Sequence, residues 1–213
     1  LNGVDARNHG IDLGYLHDLG TAWQLDGHVF FLCRDMWLKD WGSPPFFNRG
    51  GNHIAEEEQG AELQLRYQGD SARWLGGVEY RSPRLTDSHY FLADPGYVEF
   101  DLFASHQRDI LGLYPQYQRA LGQSFDLTLG LRHDDYANVG AHQSPRLALI
   151  YHPDAGSSLK LLYGEAFRAP TPTELSLQNV TGRTANPALE PEVARTLELT
   201  WLQQMEHGYW QLA

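Results

Sequence analysis

Histidines and carboxylates are the side chains in this sequence best able to do chemistry, and their spacing is the first thing to test. The ten histidines, His9, His17, His28, His53, His89, His106, His133, His142, His152 and His207, are scattered near strand-like segment ends and loops. No H-E-x-x-H occurs, and no pair has the spacing that sets two imidazoles on one helix face around a zinc ion. Surface or interfacial histidine is the plain reading. His133-Asp134-Asp135 has the residue types for acid–base catalysis or a calcium contact, but solvated carboxylates at a strand end account for it as well. Cys33 is the single cysteine, so an internal disulfide and a cysteine-rich metal site are both excluded. No G-x-S-x-G, P-loop or G-x-G-x-x-G appears, and Asn179-Val180-Thr181 matches only a glycosylation sequon. Nothing here implies an enzyme, a cofactor or a resident metal.

Recognition is a better prospect, because loops mounted on a rigid scaffold carry binding residues. Trp37, Trp41, Phe46, Phe47 and Arg49 fall in one long polar excursion, and Tyr90, Phe91, Tyr97 and Phe100 fall in a second. Aromatic faces beside a guanidinium suit a planar or metal-chelate ligand. Packing within the loops would use the same residues.

The elements that must position these loops are strands. Ten segments alternate in period two, the clearest being Ala61, Leu63, Leu65 and Tyr67 against Glu62, Gln64, Arg66 and Gln68, and Phe125, Leu127, Leu129 and Leu131 against Asp126, Thr128, Gly130 and Arg132. Tight turns are expected at Asp18 to Thr21, Gly69-Asp70-Ser71, Leu121-Gly122-Gln123, Pro153 to Gly156 and Gln203 to Gly208. Loops are expected over Trp37 to Glu58 and Ser82 to Ser105. Pro115 sits inside the fifth strand and should disturb its ladder. After the strand ending at Arg168, Thr171-Pro172-Thr173-Glu174 reads as a capping box with proline at the first helical position, so one short helix is expected.

The connections alternate between short and long, which in an antiparallel up-and-down sheet puts every tight turn at one end. Aromatic residues flank those turns: Tyr15 and Trp23, Tyr67 and Trp74, Tyr117 and Phe125, Trp201 and Tyr209, with Tyr151 beside the remaining one. A ring of such side chains at one level is what a lipid interface selects. Arg66, Glu79, Asp126, Thr128, Arg132, Lys160, Glu198 and Thr200 would share the opposite, wet face. A soluble all-β sandwich also alternates, and it stands as the competing architecture.

Length and composition agree with this. The 213 residues read as one unit, with 27 acidic and 16 basic side chains and a net charge of −11, which argues against a nucleic-acid partner. The longest apolar runs, Val29 to Cys33 and Leu147 to Tyr151, are far shorter than the ~20 residues a membrane helix needs, while a barrel strand needs only ~10. The mean hydropathy of −0.46 suits a barrel with a polar interior. The start, LNGVDARNHG, has no signal-peptide pattern, and Leu1 and Ala213 both read as cuts through a longer protein.

At Leu127 to Pro153 (LTLGLRHDDYANVGAHQSPRLALIYHP), then LKLLYGEAFRAPTPTEL and NPALEPE before a strand, the chain resembles the barrel of TonB-dependent outer-membrane receptors. The resemblance implies an all-β, antiparallel up-and-down transmembrane β-barrel, with residues 1–213 supplying about ten strands of a 22-strand barrel whose plug and remaining strands lie elsewhere. It also implies uptake of a scarce ligand such as a ferric siderophore or cobalamin at the bacterial cell outer membrane, with energy transmitted by TonB through the plug. Arg168, Ala169, Pro170, Glu174, Asn186, Pro187, Pro191 and Glu192 carry the motif and are expected to be structural. A passive porin-like or adhesive barrel without a plug is the alternative, and a barrel hydrolase a distant third.

Overall fold

The structure is a computed structural model that describes residues 3–41, 49–92, 98–102, 106–177 and 184–212. Twelve strands form one antiparallel sheet. They are β1 (Gly3–Leu19), β2 (Trp23–Trp41), β3 (Arg49–Gln68), β4 (Ala72–Leu92), β5 (Val98–Asp101), β6 (His106–Gln107), β7 (Ile110–Leu121), β8 (Phe125–Tyr136), β9 (Gly140–Asp154), β10 (Ser157–Arg168), β11 (Glu192–Met205) and β12 (Gly208–Leu212). Among the described residues there is one helix, α1, at Pro172–Ser176. Sequential neighbours pair throughout, except that β5 and β6 are short additions on the upper part of β4, which otherwise pairs with β7. The sheet is open, with β1 and β12 at its edges.

The register gives each face its chemistry. On one face Leu13, Val29 and Ala61 are aligned across β1 to β3, and Leu129 and Leu147 across β8 and β9. Leu13 is 66% exposed, while among the described residues only Leu85 and Leu102 are buried hydrophobics. A water-soluble domain reverses that proportion, whereas lipid solvates such a face at no cost. The sandwich architecture is not observed, because among the described residues all strands belong to one sheet and none covers the apolar side. On the opposite face His28 meets Glu62 at 2.8 Å, and Arg132 donates to Glu79 at 2.6 Å and to Asp134. Lys160 lies opposite Thr200 there. Gly77 makes room on this side: a Cβ there would fall 2.2 Å from the Tyr114 ring, whose hydroxyl donates to Glu62.

The tight turns lie at one end, and Gly20 and Gly122 enter them at φ of +82° and +69°, a region closed to most L-residues. Rings meet across strands at this level: Trp23 with Tyr67 at 4.7 Å, Trp74 with Tyr117 at 4.2 Å and Phe125 with Tyr151 at 4.7 Å.

At the other end the strands run further than the sequence pattern suggests. β2, β3 and β4 have 19, 20 and 21 residues, about twice what a tilted membrane strand requires (~9–11). Most of the expected loop Trp37 to Glu58 is therefore strand, as is Ser82 to Leu92. Paired backbone sustains these upper halves, and the charged side chains on their outward face, starting at Asp35, Glu57 and Arg84, mark where the apolar band ends. Pro115 stays inside the β7 ladder opposite Gly76. Toward β8 the pairs of residues 114 and 115 are missing, yet the register is the same on both sides of the gap. The proline removes a donor without shifting the strand. A register shift between Ser157 and Leu159 marks the start of the β9–β10 pairing, and a second occurs in β4, where Thr86 is an extra residue between the pairs Glu56–Leu85 and Ala55–Asp87. Such a bulge moves every later side chain of β4 to the other face.

Candidate functional site

The segment after β10 folds by its own local chemistry. Thr171 is the N-cap of α1, and a complete capping box joins it to Glu174, with proline opening the helix, as the sequence predicts. Arg168 ties the ends of the excursion together: its guanidinium reaches Glu174 at 3.0 Å through both Nη1 and Nη2, and Glu192 at 2.7 Å through Nη2. The Asn186 amide donates to the Glu174 carbonyl at 2.8 Å, and the Asn186 Oδ1 accepts from the Ala188 amide. Ala169 and Pro170 lead from β10 toward the helix, Pro187 lies in the turn that follows Asn186, and Pro191 directly precedes β11.

Hydrogen bonds from Arg168, then from the Thr171 amide and hydroxyl, hold the Glu174 carboxyl down at about 2 instead of 4.5. A carboxyl depressed in the folded state contributes stability that is present above pH 4.5 and is lost as pH falls toward 2. Hydrogen-exchange protection of the Leu175 and Asn186 amides is therefore expected to fall over that interval. Glu174→Gln should produce a similar loss at neutral pH, and unchanged protection in both cases would refute the pinning.

This pinned excursion reaches across to the wall formed by β1 to β4. Pro170 is fully buried, and its carbonyl accepts a 2.8 Å hydrogen bond from Arg108 Nη1. Beside that contact lies a cavity of about 390 Å³, lined on the polar side of the sheet by Leu32, Arg34, Glu56, Leu85, Arg108 and Pro172 among others. Three acids line the pocket, and two of them have cations: Glu56 has Arg34 at 3.0 Å, and Glu58 has Arg81 at 2.6 Å. Among the described residues Arg108 has no carboxylate partner. It is 7% exposed, and its Nε and Nη2 atoms are buried without a partner among the described residues. Its neighbour Asp109 is turned away, accepting hydrogen bonds from Ser82, Gln107 and Tyr80. Desolvation lowers the Arg108 pKa. Desolvation and then the Arg108 charge lower that of His106, so this imidazole is neutral near pH 7.

Nε and Nη2 form the side-on edge of a guanidinium, the fork that matches a carboxylate or phosphate in bidentate fashion. A buried cation with that edge unused costs several kcal/mol until an anion meets it. Anion recognition is what this arrangement can do. Catalysis has no comparable support, because His133 and Asp135 lie on the apolar face while Asp134 points to the other side and is held by Arg132, so the triplet cannot converge on one substrate.

The aromatic residues singled out from the sequence are distributed differently. Trp37 and Phe91 lie on the outward side of β2 and β4, Tyr90 lies on the lumenal side against Phe100 at 5.3 Å, and Trp41 pairs with Arg49 through the backbone at the top of β2 and β3. Phe46, Phe47 and Tyr97 fall outside the described residues. Sequence reasoning missed Arg108. Its only signal was a basic residue near the start of the expected fifth strand, roughly His106 to Arg119, which reads as solvated until the Pro170 segment covers it.

The family described as "TonB dependent receptor-like, beta-barrel" matches residues 2–213. The chain belongs to this family. Among solved structures, it resembles the copper transporter OprC at a TM-score of 0.74 and 14% identity, over 96% of this chain and 38% of that one. It resembles the siderophore receptor PirA from Acinetobacter baumannii at 0.68 and 17%, over 94% and 33%, and the ferric citrate transporter FecA at 0.65 and 15%, over 94% and 32%. At these identities the likeness is one of fold, and the chain spans well under half the length of each of these proteins. No curated protein sequence matches it. The family and its structural neighbours are receptors and transporters, not enzymes. Among the described residues no helix is long and apolar enough to cross a membrane.

Proposed function

We infer that the chain is part of the wall of a bacterial outer-membrane receptor that imports a scarce metal-bearing ligand, a ferric siderophore, cobalamin or similar, with energy from the inner membrane. TonB would deliver that energy through a plug outside these 213 residues. The apolar face would contact outer-membrane lipid and lipopolysaccharide. One observation carries the choice of ligand chemistry: the unpaired side-on edge of buried Arg108 beside a cavity of about 390 Å³, a volume that suits a small ligand. That edge favours acid-bearing chelates, and the siderophore and ferric citrate receptors among the structural neighbours support this class.

The test is equilibrium binding of ferric citrate and ferric enterobactin to the intact protein and to Arg108→Gln, with uptake measured in cells with and without TonB. Losing a charged, buried hydrogen-bond pair costs ~1.5–3 kcal/mol, so binding should weaken roughly 10- to 100-fold. Equal binding by both proteins would sink the role of Arg108. Uptake that persists without TonB would favour the passive barrel.

A further inference from the structure

The upper outward face of β2 to β5 carries a second polar cluster that the receptor reading does not use. His53 and His89 are direct cross-strand neighbours, with ring centroids 5.0 Å apart. Asp87 lies between them, its Oδ2 3.0 Å from His53 Nδ1 and its Oδ1 3.2 Å from His89 Nδ1. The other ring nitrogens also face carboxylates: His53 Nε2 is 3.1 Å from Asp35, and His89 Nε2 is 3.3 Å from Glu99. Trp37 stacks on His53 at 4.1 Å, leaving the His53 side chain 9% exposed, while Asp87 stays 47% exposed. The Thr86 bulge creates this grouping, because without it Ser88 and Tyr90, in place of Asp87 and His89, would share the face of His53.

The donor inventory shows what the cluster lacks. A neutral imidazole carries one N–H. If His53 donates Nε2–H to Asp35 and His89 donates Nε2–H to Glu99, both Nδ1 lone pairs point at the Asp87 carboxylate, acceptor against acceptor. A cation at the centre resolves this. Carboxylates holding the far nitrogens of two imidazoles whose near nitrogens converge are the arrangement that orients histidine toward a metal. The ligand atoms of His53, Asp87 and His89 lie within 4.8 Å of one another. Asp87 turns one oxygen toward each imidazole, at separations close to the ~3.3 Å between ligand atoms around zinc with bonds of ~2.0–2.1 Å.

We propose that His53 Nδ1, His89 Nδ1 and Asp87 bind a divalent transition-metal ion of the zinc class, with Asp35 and Glu99 orienting the imidazoles. The site lies outside the lumenal pocket, so it is not the cargo site. Two imidazoles and one carboxylate suit zinc, and the three-ligand set leaves a fourth position for water. Bound metal staples β3 to β4 where both rise beyond the membrane.

The test is calorimetric titration of the intact, chelator-stripped protein with Zn²⁺ alone, compared with the double variant His53→Gln/His89→Gln and with Asp35→Asn, which leaves all three ligands in place. Heat-modifiable gel mobility verifies that each barrel is folded. The expected result is one saturable site in the native protein, its loss in the double variant, and a 10- to 100-fold weaker site in Asp35→Asn. Folded native and double-variant proteins that titrate alike would overturn the proposal and leave the cluster as a chain of imidazole–carboxylate hydrogen bonds.

Discussion

Leu129→Arg in the intact protein is expected to destabilise the membrane-inserted barrel by roughly 2–4 kcal/mol, the cost of arginine on a lipid-facing strand near the midplane. Leu129 lies on the outward face of β8, between Tyr117 of β7 and Leu147 of β9. It is four positions above Phe125, whose ring meets Tyr151 in the aromatic level. Four residues at ~3.3 Å each, tilted ~45°, climb about 9–10 Å along β8 from Phe125 into a ~25 Å apolar band. Thr128→Arg, one residue away on the wet face, should cost little. Equilibrium refolding into vesicles, followed by urea titration, measures both. A neutral result at Leu129 with a large loss at Thr128 would mean that the faces are inverted.

Arg132→Met carries the second large effect. The Arg132 guanidinium donates through Nε to both oxygens of Asp134 at 2.8 and 2.9 Å and through Nη2 to Glu79 at 2.6 Å, and it lies 5.4 Å from the Tyr114 ring centre. Gly112 leaves space for it, since a Cβ there would come within 2.8 Å of Nη2. Methionine keeps much of the volume but leaves two carboxylates, 21% and 10% exposed, without their cation. Breaking a buried pair in this way costs ~3–5 kcal/mol, and partial exposure of Arg132 brings the expectation to about 2–3 kcal/mol. The same urea titration reads it. Adding Glu79→Gln and Asp134→Asn should recover most of the loss, and failure to recover would show that packing, not charge, was removed.

The architecture was legible because its determinants are local. Alternation in β3 and β8 sorts residues between faces within a few positions, tight turns need only two or three residues, and Thr171 to Glu174 close their capping box without help from elsewhere. The capping box beside Arg168 was legible, but the reach of the segment was not, since Arg108 and Pro170 are 62 positions apart and meet only when the wall curves. The extents of β2 to β4 were hidden for a related reason: above the membrane both faces meet water, so the apolar alternation that marks a strand disappears while the hydrogen-bond ladder continues.

By itself the sequence determined an antiparallel, lipid-facing sheet with tight turns at one end, a polar inner face and one short capped helix, because period-two hydrophobicity and turn chemistry act over neighbouring residues. Only the tertiary structure decided which charges lie unpaired and which side chains converge. One extra residue at Thr86 inverts the upper part of β4 and brings Asp87 and His89 to His53 and Asp35, and a crossing segment buries Arg108. A bulge and a long-range contact leave no periodic trace in the residues they rearrange.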